Sequence, residues 1–315
     1  MTLQEIALPE WPLGGVDPAR MRAAVDRWVR SEAMAELVRA FHGTPPHGTP
    51  EEALAQLVAF SDVWDYRKGG LERSDVVAVD YPDHIDDLVH DAARALGLAG
   101  RNRPSAARYD HLLVLGGGPR TALARSDFAA HLVRGGIEAG SVAGISSLRP
   151  IGPTEVEFAA AEDMPDREVE ADVMAAALVR AFGVEAVRER RTGQSPAGEP
   201  WRVDTYGPLT VLAAASNTPG RRANTQDGFI GWGAMVGGPA PTERILVVTT
   251  DLYVPFQHAA AVLLLGMRYG CAVETVGLDI LDYGRWLKPS TQTAILQELR
   301  AGILGLASLV AQDGA

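Results

Sequence analysis

Through the first 107 residues apolar side chains recur at helical spacing; beyond them they come in short unbroken runs. "ARMRAAVDRWVRSEAMAELVRAF" follows Asp17-Pro18, an N-cap with proline at the first helical position. Thr49-Pro50-Glu51-Glu52 repeats the device, and Glu52 completes a capping box ahead of "ALAQLVAFSDVW". A third helix is predicted after Pro82 in "DHIDDLVHDAARALGLAG", closing at Gly100, and "RNRPSAARYD" reads as a connector. From residue 111, apolar runs such as "HLLVLGGG", "SVAGISS", "LTVLAAAS", "ILVVTTD" and "AVETVGLD" alternate with helical segments. Continuous apolar runs mark strands buried on both faces, and strand–helix alternation implies a parallel sheet.

The predicted architecture is therefore a doubly wound, mainly parallel α/β sheet of Rossmann-like type with an N-terminal helical region. It divides into helices over 1–107, an α/β ligand-binding domain over 108–289, and a C-terminal helix within 290–315. The stretch "RERRTGQSPAGEPWRVDTYG" fits neither rhythm and reads as a loop insertion or small hairpin.

Composition narrows the function. A chain of 315 residues with 47% hydrophobic content can bury a large core, and a net charge of −11 disfavours DNA and anionic membranes as partners. Of 29 basic residues only Lys68 and Lys288 are lysines. The single cysteine, Cys271, opens an apolar run and reads as a buried strand residue. "MTLQEIALPEWPLGG" lacks the pattern of a secretory signal, and apolar stretches such as "AAAVLLLGM" and "GILGLASLV" fall short of the ~20 residues of a membrane span. A cytoplasmic protein without a membrane partner is expected.

Three turns point to one place. In open parallel sheets ligands sit beyond the strand carboxyl ends, where helix N-termini gather. Gly116, Gly117 and Gly118 follow the first strand, with Pro119 opening a helix that carries Arg120 and Arg125. In "VLAAASNTPGRRANTQDGF", Ser216 and Asn217 end a strand, Thr218 reads as an N-cap and Pro219 as the first helical residue; Arg221, Arg222 and Asn224 follow. Thr249, Thr250 and Asp251 end "LVVTTD". Unpaired N–H groups at such helix starts form an anion site, and guanidinium forks clamp anions. Arg120, Arg221 and Arg222 are explained by a bound anion, or else by a solvated helix face. "GGGPRT" is not the GxGxxG fingerprint, and no P-loop or GxSxG elbow occurs.

Acid/base candidates are Glu170, Asp251 and His258. Glu170 opens a helix, where acids also serve the dipole; Asp251 suits ligand binding or helix stabilisation; His258 suits proton transfer, capping or packing. No histidine pair has metal-ligand spacing, so no metal is expected.

The order of these turns resembles the SanA/YdcF-like domain family over roughly residues 108–280. The matching pieces are "VLGGG" with Gly116–Gly118, Glu170-Ala171, Ser216-Asn217-Thr218, and "VVTTD" with Thr249 and Thr250. Ser146-Ser147 stands where the family has two glycines, and arginines replace its Glu-Asn pair after the Ser/Asn/Thr turn. The resemblance implies a Rossmann-like fold of poorly defined activity.

The resulting expectation is an enzyme that binds a small anionic, nucleotide-like metabolite, with group transfer or hydrolysis favoured over redox chemistry. S-adenosylmethionine or a nucleotide are the cofactor candidates, the former by fold analogy alone. The alternatives are a non-catalytic sensor and a transferase using aminoacyl-tRNA. The acidic balance disfavours tRNA unless Arg180, Arg188, Arg190 and Arg191 form a basic patch.

Overall fold

The computed structural model of the chain describes residues 3–68, 76–185 and 188–311. Four helices lead: α1 (Pro18–Val29), α2 (Glu32–Ala40), α3 (Pro50–Phe60) and α4 (Asp83–Ala95). Asp17 caps α1 by accepting the Ala19 N–H at 2.8 Å. At α3, Thr49 Oγ1 accepts the Glu52 N–H at 3.2 Å while Glu52 Oε2 accepts that of Thr49 at 2.8 Å, the predicted capping box. Their apolar stripes bury Trp28, Met34, Leu37 and Leu57, and the Trp28 indole N–H donates to Leu96 O at 3.1 Å.

The rest alternates strands and helices: β1 (Arg108–Leu115), α5 (Pro119–Arg134), β2 (Glu138–Ser147), α6 (Pro153–Ala161), α7 (Glu170–Phe182), β3 (Glu189–Gln194), β4 (Pro200–Tyr206) and β5 (Leu209–Ala214). Then come α8 (Thr225–Met235), β6 (Arg244–Thr250), α9 (Val254–Ala261), the short α10 (Met267–Tyr269), β7 (Ala272–Leu278) and α11 (Gln292–Ala311). They form one seven-stranded sheet of order β3-β4-β5-β2-β1-β6-β7. Strands β5, β2, β1, β6 and β7 run parallel; β4 pairs antiparallel with β5 and β3 with β4. The stretch outside both rhythms is thus a hairpin that extends the sheet.

Both sheet faces are covered. Leu113 and Leu115 of β1, with Ile245 and Val247 of β6, belong to a core in which α8 and α9 lie on the sheet, α11 packs on α9, and α1, α3 and α4 pack on α11. Leu112, Val114, Leu246 and Val248 pack against α5, α6 and α7. The alternation of side chains along a strand sends successive residues to opposite layers, which is why the runs are continuously apolar. The N-terminal helices share a single core with the sheet.

α11 is, among the described residues, the one helix long and apolar enough to cross a membrane by length and composition. It reaches 20 residues, more than the apolar stretches suggested, and buries Ile295, Leu299, Ile303 and Leu306 in the shared core. Two predicted boundaries move: α4 ends at Ala95, not at Gly100, and α8 starts at Thr225 with Asn224 as its cap, not at Pro219.

The sheet's β7 edge is met by the chain's opening segment and by the connector before β1. Val273 N–H donates to Trp11 O at 2.9 Å, and Gly277 N–H to Arg101 O at 2.7 Å. Gly277 leaves no room for a side chain: a Cβ there would lie 2.6 Å from the Asp251 amide nitrogen. Gly277→Ala is expected to destabilise the fold by about 3 kcal/mol through this backbone clash, read as a lowered urea midpoint with unchanged slope; an unshifted midpoint would contradict the packing described.

Candidate functional site

Chain order and sheet order part company around β1. From β1 the chain moves outward to β2 and β5, then returns to β6 and β7 on the other side. α5 leaves towards one face while α8 and α9 lie on the other, so the carboxyl ends of β1, β2 and β6 open onto a crevice. It holds a cavity of about 270 Å³ lined by Gly116, Gly117, Gly118, Thr121, Arg125, Ser146, Ser147, Glu170, Arg222, Asn224, Tyr253 and Gln257, among others.

The glycine turn forms its floor. Gly116 N–H donates to Ile145 O at 2.6 Å, and a Cβ on Gly116 would stand 2.7 Å from that carbonyl, so the close approach of β1 to β2 excludes a side chain. Gly118 is the N-cap of α5 and offers no side-chain cap, which leaves the first N–H groups of a 16-residue helix directed at the crevice. Arg125 lies beneath, 2% exposed. It donates from Nη1 to Leu115 O (3.0 Å) and Gly116 O (2.6 Å), and from Nε to Thr250 Oγ1 (3.0 Å). Ser146 Oγ is buried and, among the described residues, has no hydrogen-bond partner.

The acidic wall is Glu170, at the N-terminus of α7 and 6% exposed. It accepts from Ser147 Oγ at 2.5 Å and from Arg149 Nε at 2.8 Å, and Arg222 Nη2 lies 3.8 Å away. Arg149 also forks onto both oxygens of Glu155 at 2.7 and 2.9 Å. Those bonds hold the Arg149 guanidinium above its ordinary pKa despite burial. Burial pushes the Glu155 carboxyl up, but the Arg149 and Gly152 hydrogen bonds outweigh it and leave it below the usual range.

The arginine pair divides. Arg222 lines the cavity. Arg221 does not; its Nη2 spans both oxygens of the buried Asp227 at 2.9 and 2.7 Å. Asp227 also accepts from Asn217 N (3.0 Å), Asn217 Nδ2 (2.9 Å) and Asn224 N (2.8 Å). Burial raises its pKa, yet these bonds from Asn224, Asn217 and Arg221 outweigh it and keep the carboxylate charged. Asn217 and Arg221 therefore serve the loop before α8, contrary to the sequence expectation. Ser216 and Thr218 are likewise local: Ser216 Oγ donates to Thr218 O at 2.8 Å and accepts Thr218 N–H at 3.1 Å. Asn224 caps α8 and reaches the cavity as well.

Other expectations are corrected too. Arg120 stays within the layer of α5 and α6 and outside the cavity, 4.0 Å over the Phe158 ring with Nη1 donating to Trp286 O. Thr249 and Thr250 sit below the cavity: Thr249 Oγ1 bonds Gln257 Oε1, and Thr250 receives Arg125. Asp251 is buried outside the cavity; its Oδ1 takes the Leu252 N–H at 2.7 Å. His258 lies on the far side of β6, between Thr275 Oγ1 (Nδ1, 3.1 Å) and Pro9 O (Nε2, 2.8 Å). It ties the N-terminal segment to the sheet and does not meet Glu170. Of the three acid/base candidates, only Glu170 lines the cavity.

Sequence reasoning noted Ser146 and Ser147 only as a departure from the family pattern, passed over Arg149, and gave Arg125 no role. Arg125 carried a signal: it falls between Ala122 and Ala129 on the buried stripe of α5, where a guanidinium needs polar partners. Arg149 carried none, since its partners come from α6 and α7.

A family model described as the Rv3785 N-terminal domain matches residues 13–97. Uncharacterized protein Rv3785 of Mycobacterium tuberculosis (strain H37Rv) is 31% identical over 93% of this chain and 91% of its own length. Uncharacterized protein Mb3814 of Mycobacterium bovis matches to the same extent. The chain belongs to the Rv3785 family. This replaces the SanA/YdcF-like resemblance, for which no support was found: the family model matches the N-terminal helices which that likeness left out. Turn motifs of three residues recur wherever a buried strand feeds a helix, and the Ser216-Asn217-Thr218 turn proves to be local scaffolding. No solved structure matches the chain.

Two buried titratable groups give a pH test. Burial, with Asp279 nearby, raises the Asp251 carboxyl to about 7 against the opposing Leu252 N–H. A raised carboxyl pKa means that protonation favours the fold: the contribution is full below about pH 4 and is lost as pH rises through 7. Burial lowers His258 to about 4, so its contribution is present above about pH 6.5 and is lost as pH falls through 4. The two oppose each other in the wild type. Asp251→Asn is expected to leave stability near pH 4 unchanged and to raise it at pH 8 by up to about 4 kcal/mol. Urea unfolding across that range checks this; a pH-independent difference would count against the buried carboxyl.

Proposed function

We propose that the protein binds a small anionic metabolite, nucleotide-like in bearing a phosphate beside hydroxyl groups, at the carboxyl ends of β1, β2 and β6. The sheet acts as a doubly wound, Rossmann-like scaffold in this reading. The observation that carries it is Ser146 Oγ, a buried hydroxyl without a partner among the described residues, in a cavity walled by the glycine turn, Arg125 and Arg222. A buried polar group without a partner is costly, and an anion accepting from it, from the α5 N–H groups and from Arg222 removes that cost. Glu170, oriented by Ser147 and Arg149, would accept a ligand hydroxyl. Two guanidinium groups favour such an anion over S-adenosylmethionine, whose sulfonium is cationic.

Group transfer or hydrolysis on the same ligand is the second reading, favoured by Glu170 being the one carboxylate among the residues lining the cavity. A tRNA partner is less well supported. Arg180 pairs with Glu162 and Arg190 with Asp204, so two arginines of the expected basic patch already face carboxylates.

Thermal unfolding against nucleoside monophosphates, sugar phosphates and inorganic phosphate tests the reading. A ligand at 100 times its Kd is expected to add about 2.7 kcal/mol of stability. Ser146→Ala and Arg222→Ala, each folded without ligand, should weaken binding about ten-fold. Arg221→Ala should lower stability while leaving affinity within about two-fold, because Arg221 serves Asp227. Turnover of the bound compound would favour catalysis; binding without turnover would favour sensing. Stabilisation by none of these anions would overturn the proposal.

A further inference from the structure

A second cavity, of about 520 Å³, lies on the face of the sheet that carries α8, towards the β3 edge. Register explains it. Arg191 of β3 pairs with Val203 of β4, which pairs with Leu212 of β5; Gly193 pairs with Trp201 in the next row. Directly paired residues share a face, so Arg191, Val203 and Leu212 form one row across three strands. α8 covers only the inner end of these rows. Gly231 lets it approach β5 closely, since a Cβ there would meet Leu212 Cδ2 at 3.3 Å. The outer rows on β4 and β3 project past the helix and leave a groove floored by Trp201, Val203 and Leu212 and flanked by Ile230, Ala234 and Met235.

Its lining is mainly apolar with polar groups at the rim. Asp227 is among them, but Arg221, Asn217 and Asn224 occupy its oxygens. Arg191 is the rim's cation; it is exposed and makes no hydrogen bond or ion pair among the described residues. Its neighbour Arg190 faces the other way and is bound bidentately by Asp204. An apolar cleft with one unpaired cation at its mouth is complementary to an amphipathic anion.

We propose that this groove is a binding site for a monocarboxylate with an apolar body, a medium-chain fatty acid being the simplest form. The chain lies over Trp201 and Leu212, and the carboxylate accepts from the Arg191 guanidinium. This site is separate from the glycine-turn cavity and does not depend on the function proposed there.

Decanoate and 1-decanol, below their aggregation limits, are the probes, with calorimetric titration of the full chain. Decanoate is expected to bind more tightly than the alcohol. Arg191→Gln should weaken decanoate about five-fold and leave the alcohol unchanged, because only the carboxylate uses the guanidinium. Ala234→Trp, which fills the groove from α8, should abolish binding of both. Retained unfolding midpoints show that each variant is folded. Equal affinity for acid and alcohol, an Arg191→Gln variant with wild-type affinity for decanoate, or binding that survives Ala234→Trp would overturn the proposal. So would a concentration-dependent dimer in sedimentation that Ala234→Trp dissociates, since the occupant would then be a second copy.

Discussion

Leu112 and Val114 of β1 point into one helical layer, Leu113 and Leu115 into the other, and all four are shielded from water. Burying both faces of a central strand requires every backbone group to be paired within the sheet, which β2 and β6 do on its two sides. It also requires two layers of helices; α8 and α9 supply the second, and α11 with the N-terminal helices stacks outside them. The chain's opening segment then meets the β7 edge through Trp11 and α9 through Pro9. Where the strands end, the same arrangement leaves a crevice that the helices do not fill.

That place is built from groups held by their neighbours. Arg125 is anchored to two carbonyls and a threonine, Glu170 to Ser147 and Arg149, and Asn224 to Asp227. A site oriented in this way loses little entropy when a ligand arrives. Asp227 shows the underlying economy: one buried carboxylate gathers Asn217, Arg221 and Asn224, and so shapes the loop that presents Arg222. The adjacent arginines, alike in sequence, are given different work by which of them can reach that carboxylate.

The family model of the Rv3785 N-terminal domain matches the N-terminal helices. The structure supplies a physical counterpart: Trp28, Leu37 and Leu57 share one core with Leu113 and Val247 of the sheet. α1, α3 and α4 reach that core through α11, so removing the N-terminal helices would expose the apolar side of α11.

The sequence by itself determined the elements. Capping chemistry at Asp17 and Thr49, helical spacing after them, and unbroken apolar runs from residue 111 are local properties, and they specified helices and doubly buried strands. The glycine turn was legible for the same reason: Gly116–Gly118 followed a strand and Pro119 opened a helix. The partners of charged side chains were not legible. Arg221 chose Asp227, Arg120 chose Phe158 and Trp286 O, and His258 chose Thr275 and Pro9 O. Each choice depends on distances between segments far apart in the chain, set by sheet order and layer packing. A short turn motif records its own backbone conformation but not the side chains that the fold brings to it. The hydrogen-bond partners around the cavity and the correction of the family resemblance were therefore beyond local reading, while the mainly parallel α/β class and the residues Gly116–Gly118, Glu170, Arg222 and Asn224 were within it.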